Sequence, residues 1–123
     1  MKPIVVGAAL TTLLGCGSPT GTASAGLLVR AAPPVLSLTN RSSAPIYSFV
    51  IDRGAAAFTD WAPCTDPGTC PAIKVGETSS LGYAQIVGYS STSTEAIVYW
   101  WHLVPDGTNG FRPDSIRNVV TTL

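Results

Sequence analysis

Residues 94–104, TEAIVYWWHLV, form the longest apolar, β-prone run of the chain outside its N-terminal stretch, and they constrain the fold most. Read with a period of two, Ile97, Tyr99, Trp101 and Leu103 fall on one face, and Ala96, Val98, Trp100, His102 and Val104 on the other. A strand apolar on both sides needs cover on both sides. The run therefore predicts a central strand in a sheet-on-sheet fold. One face fills the core, and the other is covered by loops or left as a half-exposed aromatic strip. The chain is rich in Ala, Gly, Pro, Ser and Thr and poor in Lys and Glu, which disfavours a helical bundle and suits short strands joined by turns.

Other segments fit that architecture. Residues 35–39 alternate Leu36 and Leu38 against Ser37 and Thr39, and after the turn-forming NRSSAP, residues 46–52 alternate again, so the two are expected to form a hairpin. Residues 54–57 suit a helical turn or a bulge, with Phe58 and Trp61 closing one end of the core. Further strands are expected at 72–75, 79–84 and 115–123. Residues 105–113, PDGTNGFRP, hold both Asp-Gly and Asn-Gly and read as a long hairpin loop before the last strand. About six to seven short strands predict an all-β fold, a small antiparallel β-sandwich. It resembles immunoglobulin-like domains in strand number but lacks their inter-sheet cysteine pair.

The N-terminus carries a different signal. Residues 1–16, MKPIVVGAALTTLLGC, open with Lys2, continue through an apolar run too short to span a bilayer, and stop at small Gly15 before Cys16. Leu13, Leu14, Gly15 and Cys16 resemble the lipobox of bacterial lipoproteins. That resemblance covers the leader alone. It implies a signal peptide at 1–15, a diacylglyceryl group on the Cys16 thiol and export to the cell envelope. Gly17 in place of Asp implies the outer membrane if the host is Gram-negative; otherwise the anchor lies on the outer face of the plasma membrane. An ordinary signal cleaved after Ala23, Ser24 and Ala25 also fits the small-x-small rule. Residues 16–34 then read as the lipidated cysteine and a flexible Gly/Ser/Thr/Ala/Pro tether, stiffened at its end by Pro33 and Pro34, with the sandwich occupying 35–123.

Chemistry-bearing residues are few. His102 is the single histidine, so a multi-histidine metal centre is excluded, and no cofactor is implied. Cys64 and Cys70 bracket the turn-forming TDPGT and are too widely spaced for a redox C-x-x-C pair, so in an exported protein they predict a structural disulfide. Seven basic residues balance seven acidic ones, leaving no basic face for nucleic acid. Tyr99, Trp100 and Trp101 are weighed as core residues before a ligand platform. Phe111 and Arg112, at the tip of the sandwich, mark a candidate partner-binding loop.

The reading from sequence is a monomeric, lipid-anchored envelope protein. It is held to the bilayer by acylated Cys16 and acts as a non-catalytic binding or structural module toward an envelope protein or a glycan. Two rivals remain: an inhibitor presenting residues 105–113 to an envelope hydrolase, and a small hydrolase using His102. The second requires a Ser and an Asp within hydrogen-bond reach of that ring.

Overall fold

The computed structural model describes residues 20–123. The expected signal peptide and the lipidation residue Cys16 lie outside them. In chain order the elements are β1 (Thr20–Ser24), β2 (Leu27–Ala32), β3 (Val35–Asn40), β4 (Tyr47–Asp52), the helical turn α1 (Arg53–Ala56), β5 (Thr78–Gly82), β6 (Glu95–Trp101), β7 (Leu103–Pro105), β8 (Phe111–Pro113) and β9 (Arg117–Thr122). The strands make a four-stranded sheet, β1-β2-β3-β5, a three-stranded sheet, β4-β6-β9, and a two-stranded ribbon, β7-β8. Every strand pairing is antiparallel. This is the expected small all-β sandwich.

The order β2-β3-β5 over β4-β6-β9 is that of strands A-B-E over C-F-G in an immunoglobulin sandwich. Residues 57–77 occupy the chain position of strand D without forming one, and β1 is added outside A.

The 94–104 run divides at His102. Its first part, β6, is the middle strand of the smaller sheet, between β4 and β9. Ala96, Val98 and Trp100 enter the main core together with Val50, and meet Leu27, Val29, Ala31, Leu36 and Leu38 from the larger sheet. The opposite parity builds a second cluster, in which Tyr47, Trp101 and Cys70 are buried with Phe49, Trp61, Tyr99 and Leu103 packed on them. Both faces of β6 are thus covered, the outer one by the disulfide loop and Trp61.

Four expectations need correction. Residues 20–32 are not tether but two strands, because Leu27, Val29 and Ala31 alternate with period two and are all buried, paired along β3 from Leu27↔Asn40 to Ala32↔Val35. Pro33 and Pro34, expected to stiffen a tether, form the turn of that hairpin. Secondly, β3 and β4 do not pair with each other: β3 lies between β2 and β5, and β4 crosses to the other sheet against β6. Thirdly, residues 72–75 contribute one isolated bridge, Ile73↔Ile46, in place of a strand. Lastly, Phe58 does not close the core; it is 91% exposed, while Trp61 does pack.

Candidate functional site

At one end of the sandwich the β7-β8 ribbon continues past the sheet to a tip at residues 106–110. The register Pro105↔Phe111 brings Asp106 N–H to Gly110 O at 3.0 Å. Asp106 Oδ1 accepts from Thr108 N at 2.8 Å, Thr108 Oγ1 at 2.7 Å and Gly110 N at 3.2 Å. The Thr108 hydroxyl, with help from the Thr108 backbone N–H, holds the Asp106 carboxyl below the usual carboxylate range. Gly107 and Asn109 adopt φ of 91° and 67°, the left-handed conformations that Asp-Gly and Asn-Gly pairs favour. The loop is long, but it is ordered by its own side chains.

Facing it is the loop closed by the Cys64–Cys70 disulfide. Asp66 O accepts from Thr69 N and Cys70 N at 3.1 and 2.8 Å, and its Oδ1 accepts from Gly68 N at 2.8 Å. Trp101 Nε1 donates to Cys64 O at 3.1 Å, fastening the loop to the outer face of β6. Between the two loops lies an open cleft of about 480 Å³, lined by Thr65, Asp66, Pro67, Asp106, Asn109 and Phe111 among others. The fold thus brings the predicted disulfide and the predicted Phe111 loop to one place. Phe111 is 40% exposed there. Arg112 is exposed but does not line the cleft; its Nη1 donates to Pro113 O at 3.3 Å.

The expected aromatic strip divides by parity. Trp100 and Trp101 are both fully buried. Tyr99 is half-buried, and Trp61 covers it, with ring centroids 4.8 Å from Tyr99 and 4.6 Å from Phe49. That face is largely occupied by the protein itself.

The second polar constellation centres on His102, at the base of the ribbon. The register Leu103↔Pro113 places His102 opposite Asp114, and Asp114 N donates to His102 O at 2.9 Å while His102 N donates to Asp114 Oδ1 at 3.0 Å. His102 Nδ1 lies 3.3 Å from Asp114 Oδ2, and Nε2 lies 2.9 Å from Ser42 Oγ. Because an ionised carboxylate can only accept, Nδ1 carries the proton shared with Asp114. The other ring nitrogen, Nε2, then faces the Ser42 hydroxyl. Burial alone would raise the Asp114 carboxyl, but the Arg117 guanidinium, the Ser115 and His102 backbone N–H groups and the His102 ring outweigh it and hold the carboxyl far below the usual range. Arg117 also stacks over the Trp100 ring at 4.7 Å, and the Trp100 and His102 rings meet in a T-shaped pair.

On the other side, Asn40, buried to 1% exposure, donates to Ala44 O and Ile73 O at 2.8 Å each and accepts from Ser42 N at 2.8 Å and Ser42 Oγ at 2.7 Å. It fixes the turn carrying Ser42. The predicted His102 thus gains the Ser and the Asp that a hydrolase requires, and no local motif around Ser42 or Asp114 ties either of them to His102 in the sequence. Among the described residues no three of His, Cys, Asp and Glu converge on one metal position. Compared with models of protein families, with curated proteins and with solved structures, the chain matches none.

Proposed function

We propose that this chain is an exported, lipid-anchored envelope protein whose β-sandwich is a binding module, engaging an envelope protein or a glycan through the cleft at the ribbon tip. One observation carries the reading: the exposed ring of Phe111 and the disulfide loop are the two walls of a single cleft of about 480 Å³. A connector between β7 and β8 needs only a two-residue turn, and nothing in its own folding calls for an aromatic wall. Both walls are preorganised, one by the disulfide and the Asp66 turn, the other by the Asp106 bonds, so little ordering cost is left for binding.

The anchor enters through the lipobox resemblance of Leu13, Leu14, Gly15 and Cys16. Two or three acyl chains hold a protein persistently where one holds it only marginally. A second reading, an inhibitor presenting residues 105–113 to an envelope hydrolase, is favoured by the order of the tip, since an inhibitory loop must be rigid before it binds.

The test is a cross-linking pull-down from membranes with wild type and with Phe111→Ala/Arg112→Ala. The double variant is expected to stay folded and anchored and to lose most partner recovery; a hydrolase among the partners selects the inhibitor reading. Undiminished recovery from a folded, anchored double variant overturns the proposal.

A further inference from the structure

We propose that Ser42, His102 and Asp114 form a nucleophilic centre able to take an acyl group from an activated ester, separate from the tip cleft. The argument is geometric. Ser42 Oγ, His102 Nε2, His102 Nδ1 and Asp114 Oδ2 follow one another at 2.9 and 3.3 Å across the ring, the order of nucleophile, base and orienting acid in acyl-transfer enzymes. The three residues come from separate parts of the chain, 60 and 12 positions from His102, so the arrangement is a product of the fold and not of local sequence.

Each member is held from behind. Asn40 fixes the Ser42 turn, the ribbon register and the T-shaped contact with Trp100 fix the imidazole, and two contacts from Arg117, at 3.3 Å to Oδ1 and 3.1 Å to Oδ2, fix Asp114. Among the described residues the centre lies at the surface: the His102 side chain is 18% exposed and Ser42 is half-buried, with the β1-β2 turn at Gly26 packed against the Ser42 Cβ and the flanking Arg41 and Ser43 exposed.

The surroundings also define what the centre can do. The Ser42 proton has two other acceptors, Asn40 Oδ1 at 2.7 Å and Ala44 O at 2.9 Å, so the hydroxyl is shared between them and Nε2. The clefts walled by Phe111 and by the Ser90–Glu95 segment lie on other residues, and the centre itself sits beside the exposed Arg41 and Ser43. The inferred substrate class is therefore an ester that brings its own activation, with a good leaving group and an unhindered acyl carbon. In the step, the Ser42 Oγ–carbon bond forms, the ester carbon–oxygen bond breaks, and the hydroxyl proton passes to Nε2 and on to the departing oxygen. Water then attacks the acyl carbon, releasing the carboxylic acid and restoring Ser42. His102 is the base; Asp114 is a positioning residue.

The experiment treats the mature chain with a fluorophosphonate, which transfers its phosphonyl group to an activated serine with loss of fluoride, and maps the adduct by peptide mass. The expected result is one dominant adduct, on Ser42, forming at a rate that rises with pH along a single titration. In His102→Gln the rate should fall about 100-fold, the lower end of what general-base assistance supplies. In Asp114→Asn, with His102 retained, the pH profile should move while labelling remains on Ser42. Should His102→Gln not fold, as judged by circular dichroism, Asp114→Asn and the wild-type pH profile decide the matter. Absence of a Ser42 adduct, labelling of Ser42 no faster than of Ser43, or a rate indifferent to pH and to both substitutions overturns the proposal.

Discussion

Asp114 titrates in the acid range, and the sign of its effect follows from what surrounds it. Its carboxylate accepts from His102 N, Ser115 N and Arg117, so the ionised form is favoured in the folded chain and its pKa lies below the ordinary 3.8. A carboxyl depressed by folding contributes stability that is fully present above the unfolded value and is lost as pH falls below it. The side chain is 26% exposed, so water screens part of this. Charge-assisted bonds of this kind are worth about 1.5–3 kcal/mol each when buried and less here. Asp114→Asn is thus expected to lower stability by about 1–2 kcal/mol near neutral pH, with the gap to wild type narrowing between about pH 5 and about pH 2. Urea titrations across that range measure it, and a gap independent of pH would mean the charge is not what stabilises. Gly26 constrains the same neighbourhood by its emptiness. At φ +99°, a Cβ there would stand 3.1 Å from Ser42 Cβ and 3.4 Å from the Trp100 ring, so the β1-β2 turn closes directly over the Ser42 turn.

Among the elements, β6 was legible because large apolar residues at both parities admit only a strand covered on both faces, and the Asp-Gly and Asn-Gly pairs marked the turn at its far end, although residues 111–113, expected as loop, pair as β8 with β7. By contrast β2 was hidden: Leu27, Leu28 and Val29 make a short apolar patch among Ala, Gly and Pro, and nothing local tells a turn at Pro33 and Pro34 from a stiff linker. The pairing of β3 with β5 and of β4 with β6 was illegible for another reason, since partner choice depends on which faces meet across the sandwich and not on the turn between neighbours. The same holds for the His102 relay, which needs the ribbon register to bring in Asp114 and the Asn40 turn to bring in Ser42. The disulfide, in turn, was legible from the spacing of Cys64 and Cys70 and the export expected from the leader, and its consequence can be measured. Cys70 is buried against Tyr47 and Trp101, so the bridge ties a loop without regular strands to the outer aromatic cluster. On chain-entropy grounds so short a loop gives roughly 2 kcal/mol. Reduction, or Cys64→Ser with Cys70→Ser, is expected to lower the denaturant midpoint accordingly and to expose Trp101 to a fluorescence quencher. An unchanged midpoint would mean that packing alone holds the loop.

For the whole molecule the decisive question is where the domain begins. An N-terminal boundary at residue 35 would treat everything before it as removable. Yet β2 pairs with β3 over its full length, and Leu27, Val29 and Ala31 are at most 4% exposed in the main core. Without them Leu36 and Leu38, themselves buried, lose their cover, and β3 becomes an unprotected edge. Burying a Leu or Val side chain is worth about 1.5–3 kcal/mol each, so losing the strand and uncovering its neighbours removes a share comparable to the 5–15 kcal/mol that a domain of this size commands. Two truncations separate the alternatives. A chain beginning at Thr20 lacks Cys16 but keeps β1 and β2, and it should be released from membranes and still unfold cooperatively. A chain beginning at Val35 should fail to fold, giving no sharp thermal transition and exposing Trp100 to solvent. If the shorter chain melts as sharply and at the same temperature as the longer one, β2 is dispensable and residues 20–34 return to the role of a tether.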